Sequence, residues 1–355
     1  MNLILGISHP KHVYIFKNLY FKLKEANHKP VILASNKEMT CDLLNQFEMD
    51  YVLIGSNRKG IYSKLFQVIK FFFITLYYAL KTKTHIFIGF GYIHFALVAF
   101  ILRKPFIFLE DTEVAKSLHK VLMPFVSSFL TTKNFKNKIS SKQISINANL
   151  ELAYLHPKHR YYYNQFSHIK PYVLLRFVSW SAFHDVRQRG ISKETKERLI
   201  RELSLYANVY IASEKPLPEY LKKYALKVNT AEIHDFVTSA NLVVGESPTM
   251  TTESAILGTP AICVSSWACH SLGNFKELRD YNLIYCYLPE DEKQAVDKAV
   301  EIIKNPALKE SWKKKAEQFI KDRIDLTTFL FWFIIKYPDS HKVIKDNPDI
   351  QNEFR

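Results

Sequence analysis

The stretch NLVVGESPTMTTESAILGTPAICV, residues 241–264, decides the fold. Leu242, Val243 and Val244 form an apolar run ending at Gly245, the pattern of a buried strand that opens into a turn. Ser247 followed by Pro248 suits a helix start, because the hydroxyl accepts an otherwise unpaired amide and proline gives up no helical bond at the first position. A helix of about ten residues is expected to follow. It should stop at Gly258, which adopts the left-handed conformation at little cost, and Pro260 then bars continuation before the apolar run 261–264. Strand, tight turn, helix and strand in this order is the unit from which parallel α/β sheets are built.

Such a turn lies at the carboxyl end of a parallel strand, where the free amides of a helix N-terminus attract phosphate. Thr249, Thr251 and Thr252 build helices poorly but hydrogen-bond ligands well. Glu253 is one helical turn beyond Thr249 on the same face, which suits a ribose diol while Ser247 and Thr249 hold phosphates. The competing view is an ordinary α/β unit with Glu253 in solvent.

Gly245-Glu246-Ser247-Pro248-Thr249-Met250 through Glu253, with Leu257-Gly258-Thr259-Pro260, resembles the donor-site helix of GT-B-fold sugar-nucleotide enzymes, especially the non-hydrolysing UDP-GlcNAc 2-epimerases. It resembles still more closely the family DUF354, grouped with those enzymes by fold. In the epimerases an acidic residue, a serine and two glycines precede this helix, and a ribose-binding glutamate stands at the place of Glu253. Pro248 and Thr249 replace the two glycines here. The resemblance implies an α/β, GT-B-like fold, two Rossmann-like domains whose parallel sheets face a central cleft. Its donor-binding set is Arg176, Glu246, Ser247, Pro248, Thr249, Met250 and Glu253.

A chain of 355 residues with 48% hydrophobic content is large enough for two cores. The expected division is 1–165, a Rossmann-like acceptor or catalytic domain, 171–325, a nucleotide-sugar-binding domain, and 326–355, a helix and tail packing back on the first. Forty-nine Lys and Arg against 34 Asp and Glu leave a net charge of +15, which points to anionic partners. Cys41, Cys263, Cys269 and Cys286 form no CxxC pair and have no zinc-spaced histidines, so they read as reduced thiols of a cytoplasmic protein with no metal site. Met1-Asn2 and the short apolar run 3–7 do not read as a signal peptide. Residues 84–102 approach membrane-spanning length, but Gly89, Gly91 and His94 interrupt them, and strand, turn, helix, strand is preferred.

Residues 3–7 read as a first buried strand, followed by Ser8-His9-Pro10-Lys11-His12 and a helix to about residue 27. With Phe16-Lys17 and Asn27-His28-Lys29-Pro30, this opening resembles the DUF354 N-terminus. His9 and His12 are candidates for acid/base work or phosphate contact, or else for a helix cap and a surface histidine. Strands at 31–34 and 51–54 continue a doubly wound pattern. Between Asp50 and Glu151 there are fourteen Lys and Arg but three acids, Glu110, Asp111 and Glu113, directly after the apolar run 106–109. Clustered carboxylates raise one another's pKa, the route to a general base near neutrality. The alternative is a helix start capped by Asp111 or Thr112. Glu113 falls where the 2-epimerases carry a catalytic glutamate, and Asp-Thr-Glu resembles the DUF354 pattern. Residues 61–80 are rich in aromatic and aliphatic side chains and flanked by Arg58, Lys59, Lys64, Lys70, Lys81 and Lys83, which suits a helix on an anionic leaflet or one covered in a core.

The polar, aromatic segment 156–163 reads as a linker. A strand over 172–177 then carries Arg176 at its end, before Ser179, Trp180 and His184-Asp185, a set similar to that of DUF354. Arg176 suits the donor diphosphate, with a salt bridge to Asp185 as the competing account. Further strands are expected at 208–212 and 226–228, with His234 either beside the nucleotide base or, as preferred, capping the helix between the latter and 242–244. A loop over 267–274 is expected to cover the donor, helices near 290–304 and 306–323 to close the domain, and an aromatic helix to occupy 326–335.

The leading expectation is a glycosyltransferase-like enzyme that moves a sugar from a nucleotide sugar, UDP-linked, to a cell-envelope glycan or lipid-linked acceptor. Glu113, Asp111, His9 and His12 form its catalytic set, and no cofactor beyond the substrate is expected. It would be cytoplasmic and peripherally associated with the anionic inner face of the membrane. A nucleotide-sugar 2-epimerase and a non-enzymatic lipid- or polysaccharide-binding scaffold are the alternatives. Nucleic acid is not expected, since no recognised module accompanies the charge.

Overall fold

The computed structural model describes residues 1–56, 61–113, 115–159, 166, 171–178, 190–266 and 272–355, without the side chains of 61, 62, 64 and 65. Parts of the linker (160–163), the set 179–185, the loop 267–271 with Cys269 and His270, and Arg58, Lys59 and the Lys64 side chain therefore lie outside the described residues.

The chain divides into two compact units, Met1–Arg160 with Arg323–Arg355, and Tyr161–Asp322. The first contains β1 (Asn2–Ile7), α1 (Pro10–Glu25), β2 (Lys29–Asn36), α2 (Thr40–Gln46), β3 (Tyr51–Ser56), α3 (Ile61–Lys81), β4 (Ile86–Gly89), α4 (Ile93–Ile101), β5 (Phe106–Glu110), α5 (Lys116–Leu122), β6 (Ser128–Thr132), β7 (Gln143–Ile146) and α6 (Leu152–Leu155). Its strands form one parallel sheet in the order β3-β2-β1-β4-β5-β6-β7. Strand order reverses between β1 and β4, and the crevice beyond their carboxyl ends is where open parallel sheets bind ligands. Ile4, Leu33, Phe87, Phe108 and Phe129 anchor one core cluster of this unit. The helix Leu326–Ile335, capped by Asp325, belongs here too: Thr327 donates to Ala153 O at 2.8 Å and Lys22 to Thr328 at 3.2 Å.

The second unit contains β8 (Tyr172–Phe177), α7 (Lys193–Leu203), β9 (Asn208–Ser213), α8 (Ile233–Ser239), β10 (Leu242–Gly245), α9 (Pro248–Ile256), β11 (Ala261–Val264) and β12 (Ile284–Tyr287), followed by helices Glu292–Ile303 and Ala307–Lys321. Its sheet is also parallel, in the order β12-β11-β10-β8-β9. Two Rossmann-like parallel sheets make this a GT-B-like α/β fold. The organising turn forms from local signals: Ser247 caps α9 by accepting from Met250 N at 3.4 Å, Pro248 is its first residue, and Gly258 turns left-handed at φ 78°. A Cβ on Gly258 would stand 2.9 Å from Lys313 Cα, so the helix end requires glycine for space as well as conformation.

Residues 226–228 form no strand; a single bridge from Ala225 to Ile211 ends the pairing there. Among the described residues, no helix is long and apolar enough to cross a membrane.

Candidate functional site

At the carboxyl edge of the first unit's sheet, the loops after β1, β5 and β7 bring Lys11, Asp111 and Glu151 together. Lys11 Nζ lies 2.5 Å from Asp111 Oδ2 and 2.9 Å from Glu151 Oε1, with the Glu151 side chain 2% exposed. Burial alone would depress the Lys11 ammonium, but its two carboxylate partners hold it above its ordinary range. Burial pushes the Glu151 carboxyl upward, with Lys11 opposing and Asp111 adding. Two carboxylates thus share one cation, and burial lets the Glu151 carboxyl keep a proton more readily than an exposed one does.

His12 stands beside this group at the β1–β4 switch point. Its ring stacks on Phe90 with centroids 3.8 Å apart, and its Nδ1 lies 2.8 Å from Tyr92 Oη and accepts from Ser8 N at 3.4 Å. Nδ1 as acceptor places the ring proton on Nε2. Burial, then His9, Lys11 and Lys37, hold its pKa well below the ordinary range, so it is a neutral imidazole. Tyr92 is half-buried, and desolvation pushes its phenol up. The Tyr92 ring lies where Cβ atoms on Gly6 and Gly89 would stand, so two strand glycines make room for it. His9 is the cap of α1, its Nδ1 accepting from Lys11 N at 3.2 Å, and its Nε2 lies 3.9 Å from Glu38.

The acids after β5 do not form one cluster. Glu110 accepts from the amides of Asp111 and Thr112, each at 3.0 Å, and lies 3.2 Å from His119 Nε2. Asp111 turns to Lys11, and Glu113, 6% exposed, accepts from Lys136 N at 3.4 Å. Nor do Asp111 and Thr112 cap a helix, since α5 begins at Lys116 without a side-chain cap. The carboxylate that shares Lys11 with Asp111 is Glu151, about forty residues further along the chain. Lys11, Tyr92 and Glu151 are the site residues that sequence reading passed over. Their one advance signal was the scarcity of acids around them.

In the second unit, Arg176 at the end of β8 donates from Nη2 to Glu214 Oε1 at 2.9 Å, and its buried Nε–H has no acceptor among the described residues. Asp185, the partner considered for it, lies outside those residues. Gly245 abuts Arg176 so closely that a Cβ there would come within 2.9 Å of the arginine's own Cβ and carbonyl oxygen. Glu246 is turned inward: it accepts from Val178 N at 2.9 Å and Ile191 N at 2.8 Å and holds Lys196 at 3.0 Å. Its carboxylate braces the chain after β8 against α7. Ser247, Pro248, Thr249 and Met250 are half-buried along the first turn of α9. Thr251 is fully buried and returns its hydroxyl to Ser247 O at 2.9 Å, so it serves the helix. Thr252 is buried with no hydroxyl partner among the described residues. Glu253, 6% exposed, lies 3.3 Å from His234 Nε2. His234 does not cap α8, whose start has no side-chain cap; it reaches Glu253 on α9 instead. Among the described residues no group of His, Cys, Asp and Glu could hold a metal ion.

No curated protein matches the chain by sequence. Solved structures do match it in fold. UDP-GlcNAc 2-epimerase from Neisseria meningitidis bound to UDP-GlcNAc aligns over 95% of this chain and 100% of its own, with a TM-score of 0.67 and 11% identity. MnaA from S. aureus, in a co-structure with UDP, aligns over 95% of this chain and 96% of its own, with a TM-score of 0.65 and 12% identity. MurG from Acinetobacter baumannii aligns over 95% of this chain and 100% of its own, with a TM-score of 0.59 and 17% identity. The family model described as "Protein of unknown function (DUF354)" matches residues 1–331, and the chain belongs to that family.

Proposed function

We propose that the chain is a glycosyltransferase-like enzyme that takes a nucleotide sugar, UDP-linked, and transfers the sugar to a cell-envelope glycan or lipid-linked acceptor. It would work in the cytoplasm, at the inner face of the membrane. The observation that supports donor binding is the meeting of a buried Arg176 Nε–H, which has no acceptor among the described residues, with the capped N-terminus of α9 through the Gly245 contact. A guanidinium and helix amides at the carboxyl edge of a parallel sheet suit a diphosphate. On this reading Ser247, Thr249 and Met250 line the phosphates and Glu253, steadied by His234, accepts the ribose hydroxyls. Glu246 positions the loop after β8. UDP in the S. aureus protein and UDP-GlcNAc in the Neisseria protein favour a UDP-linked donor. The nucleotide sugar is a substrate, and the reading calls for no further cofactor and no nucleic acid.

The second reading is a nucleotide-sugar 2-epimerase. It is favoured by the Lys11–Asp111–Glu151 group beside a neutral His12, an acid/base set that needs no acceptor. Incubation with a panel of nucleotide sugars, followed by mass spectrometry and sugar analysis, tests both. Nucleotide released only when a lipid extract is present supports transfer, and an isomerised sugar without acceptor supports epimerisation. Binding with neither outcome leaves the non-enzymatic scaffold, and no binding removes the donor assignment.

A further inference from the structure

α3 leaves one face bare. Phe66, Ile69, Phe73, Tyr77 and Leu80 are 48% to 64% exposed and fall within an arc of about 80°. Phe71, Thr75 and Ala79 on the opposite side are buried. Phe100 and Ile101, at the end of the neighbouring α4, are exposed as well. The C-terminus of α3 leads through exposed Lys81 and Lys83 to His85, which lines a groove of about 660 Å³ at the amino edge of the same sheet. Arg103, Lys104 and Lys142 also line the groove, with Phe100, Phe125 and Tyr337 and no acid. Neither Arg103 nor Lys104 has an acidic partner among the described residues.

The charge pattern selects the occupant. Residues 51–150 contain three acids, and all are turned inward: Glu110 and Glu113 are 8% and 6% exposed, and the Asp111 side chain is 13% exposed and bound to Lys11. The exposed charge of this stretch is therefore wholly cationic. In a symmetric contact a second copy would bring the same cationic face, whereas an anionic lipid surface offers both an apolar layer for the stripe and phosphates for its rim. We infer that the α3 stripe with Phe100 and Ile101 rests in the interfacial layer of a bilayer, and that the Arg103–Lys104–Lys142 groove takes the phosphates of anionic lipid headgroups. This deepens the reading of a membrane-borne acceptor by naming the surface that reaches it.

The test is co-sedimentation with vesicles of phosphatidylcholine alone and of phosphatidylcholine mixed with phosphatidylglycerol, without nucleotide sugar. A failure here therefore leaves donor binding standing, and a failure of donor binding leaves this surface standing. Wild type should sediment with the mixed vesicles and be released by salt. Arg103→Asn with Lys104→Gln should weaken that partitioning about 25-fold, about fivefold for each charge removed. Asparagine is chosen because Arg103 has a left-handed φ of 52°. Phe73→Ser with Leu80→Ser should weaken it at least as much, and because both side chains face solvent the thermal melts should stay at the wild-type value. Equal binding to both vesicle types, binding to neither, or either variant binding as wild type would overturn the inference. So would a wild-type dimer in solution that the stripe variant dissociates, since the face would then be covered by a second copy.

Discussion

If Glu253 receives both ribose hydroxyls, Glu253→Ala should weaken binding of UDP by about 1.5–3 kcal/mol, the range for hydrogen bonds to a charged group, or roughly 10- to 150-fold in Kd. The structure refines this expectation. Glu253 is 6% exposed and 3.3 Å from His234 Nε2, so the substitution also removes an internal partner and should cost some stability. His234→Asn serves as the control, because His234 acts on the ligand only by steadying Glu253. It should weaken UDP less than Glu253→Ala, and the double variant should bind like Glu253→Ala alone, giving a non-additive cycle. Replacing UDP by 2′-deoxy-UDP removes one of the two accepted hydroxyls, so Glu253→Ala should cost less with the deoxy ligand. A distant electrostatic effect has the opposite sign, since deleting a negative charge near a diphosphate strengthens binding. Calorimetric titration measures each of these affinities. An unchanged Kd for UDP in Glu253→Ala, or an equal loss with both ligands, would refute the ribose contact.

Glu246→Ala strands the amides of Val178 and Ile191 and should cost about 3–5 kcal/mol of stability in urea denaturation; a loss below about 1 kcal/mol would show that the loop finds other acceptors. His94 is buried among Phe71, Tyr92 and Phe95, and burial depresses its pKa from 6.5 to about 3. The unfolded chain therefore takes up a proton near pH 6.5 that the folded chain refuses, and stability falls as pH drops from there towards 3. At pH 5 this amounts to about 2 kcal/mol, at about 1.4 kcal/mol per unit. His94→Phe should remove that share of the acid sensitivity, read as the difference in unfolding free energy between pH 7.5 and pH 5, and an unaltered slope would sink the assignment. Glu113→Gln should lower turnover about a hundredfold with donor affinity intact if Glu113 transfers a proton; a drop in Tm alone would leave it as the acceptor of the Lys136 amide.

The stretch from β10 to β11 was legible because every signal in it is local: a serine hydroxyl three residues before the amide it takes, a proline at the first helical position, a glycine past the last. β6, β7 and β12 escaped notice, β6 for the opposite reason. Ser128, Thr131 and Thr132 in β6 are polar yet buried, because a strand inside a parallel sheet is covered on both faces and need not alternate. The candidate site divides in the same way. The residues of the α9 turn could be named from spacing, whereas Lys11, Asp111 and Glu151 meet only when the sheet sets β1, β5 and β7 in one row, so their pairing has no footprint in any short window. Glu246 shows the limit of motif reading: its place beside Ser247 suggested a ligand contact, and only the fold shows its oxygens spent on two amides and Lys196.

The first unit's two surfaces are set apart by the sheet itself. His85, Pro105, Ser127 and Lys142 line the groove just before β4, β5, β6 and β7, at the amino ends of the strands, while Lys11, His12 and Asp111 follow β1 and β5 at their carboxyl ends. A strand of five residues such as β5 spans about 16 Å. The groove and the Lys11–Asp111–Glu151 group therefore stand about that distance apart along the strands, so a headgroup held in the groove leaves that group free to meet a water-soluble nucleotide sugar. The scarcity of acids serves both ends at once. Drawing Glu110, Asp111 and Glu113 to the carboxyl edge supplies the buried partners of His119 and Lys11, and it strips the exposed surface of this stretch of any carboxylate that would repel anionic lipid. An acid moved to the exposed surface, as in Phe100→Glu, should thus weaken vesicle binding while leaving UDP affinity at its wild-type value; a parallel loss of both would show that the two surfaces are not independent.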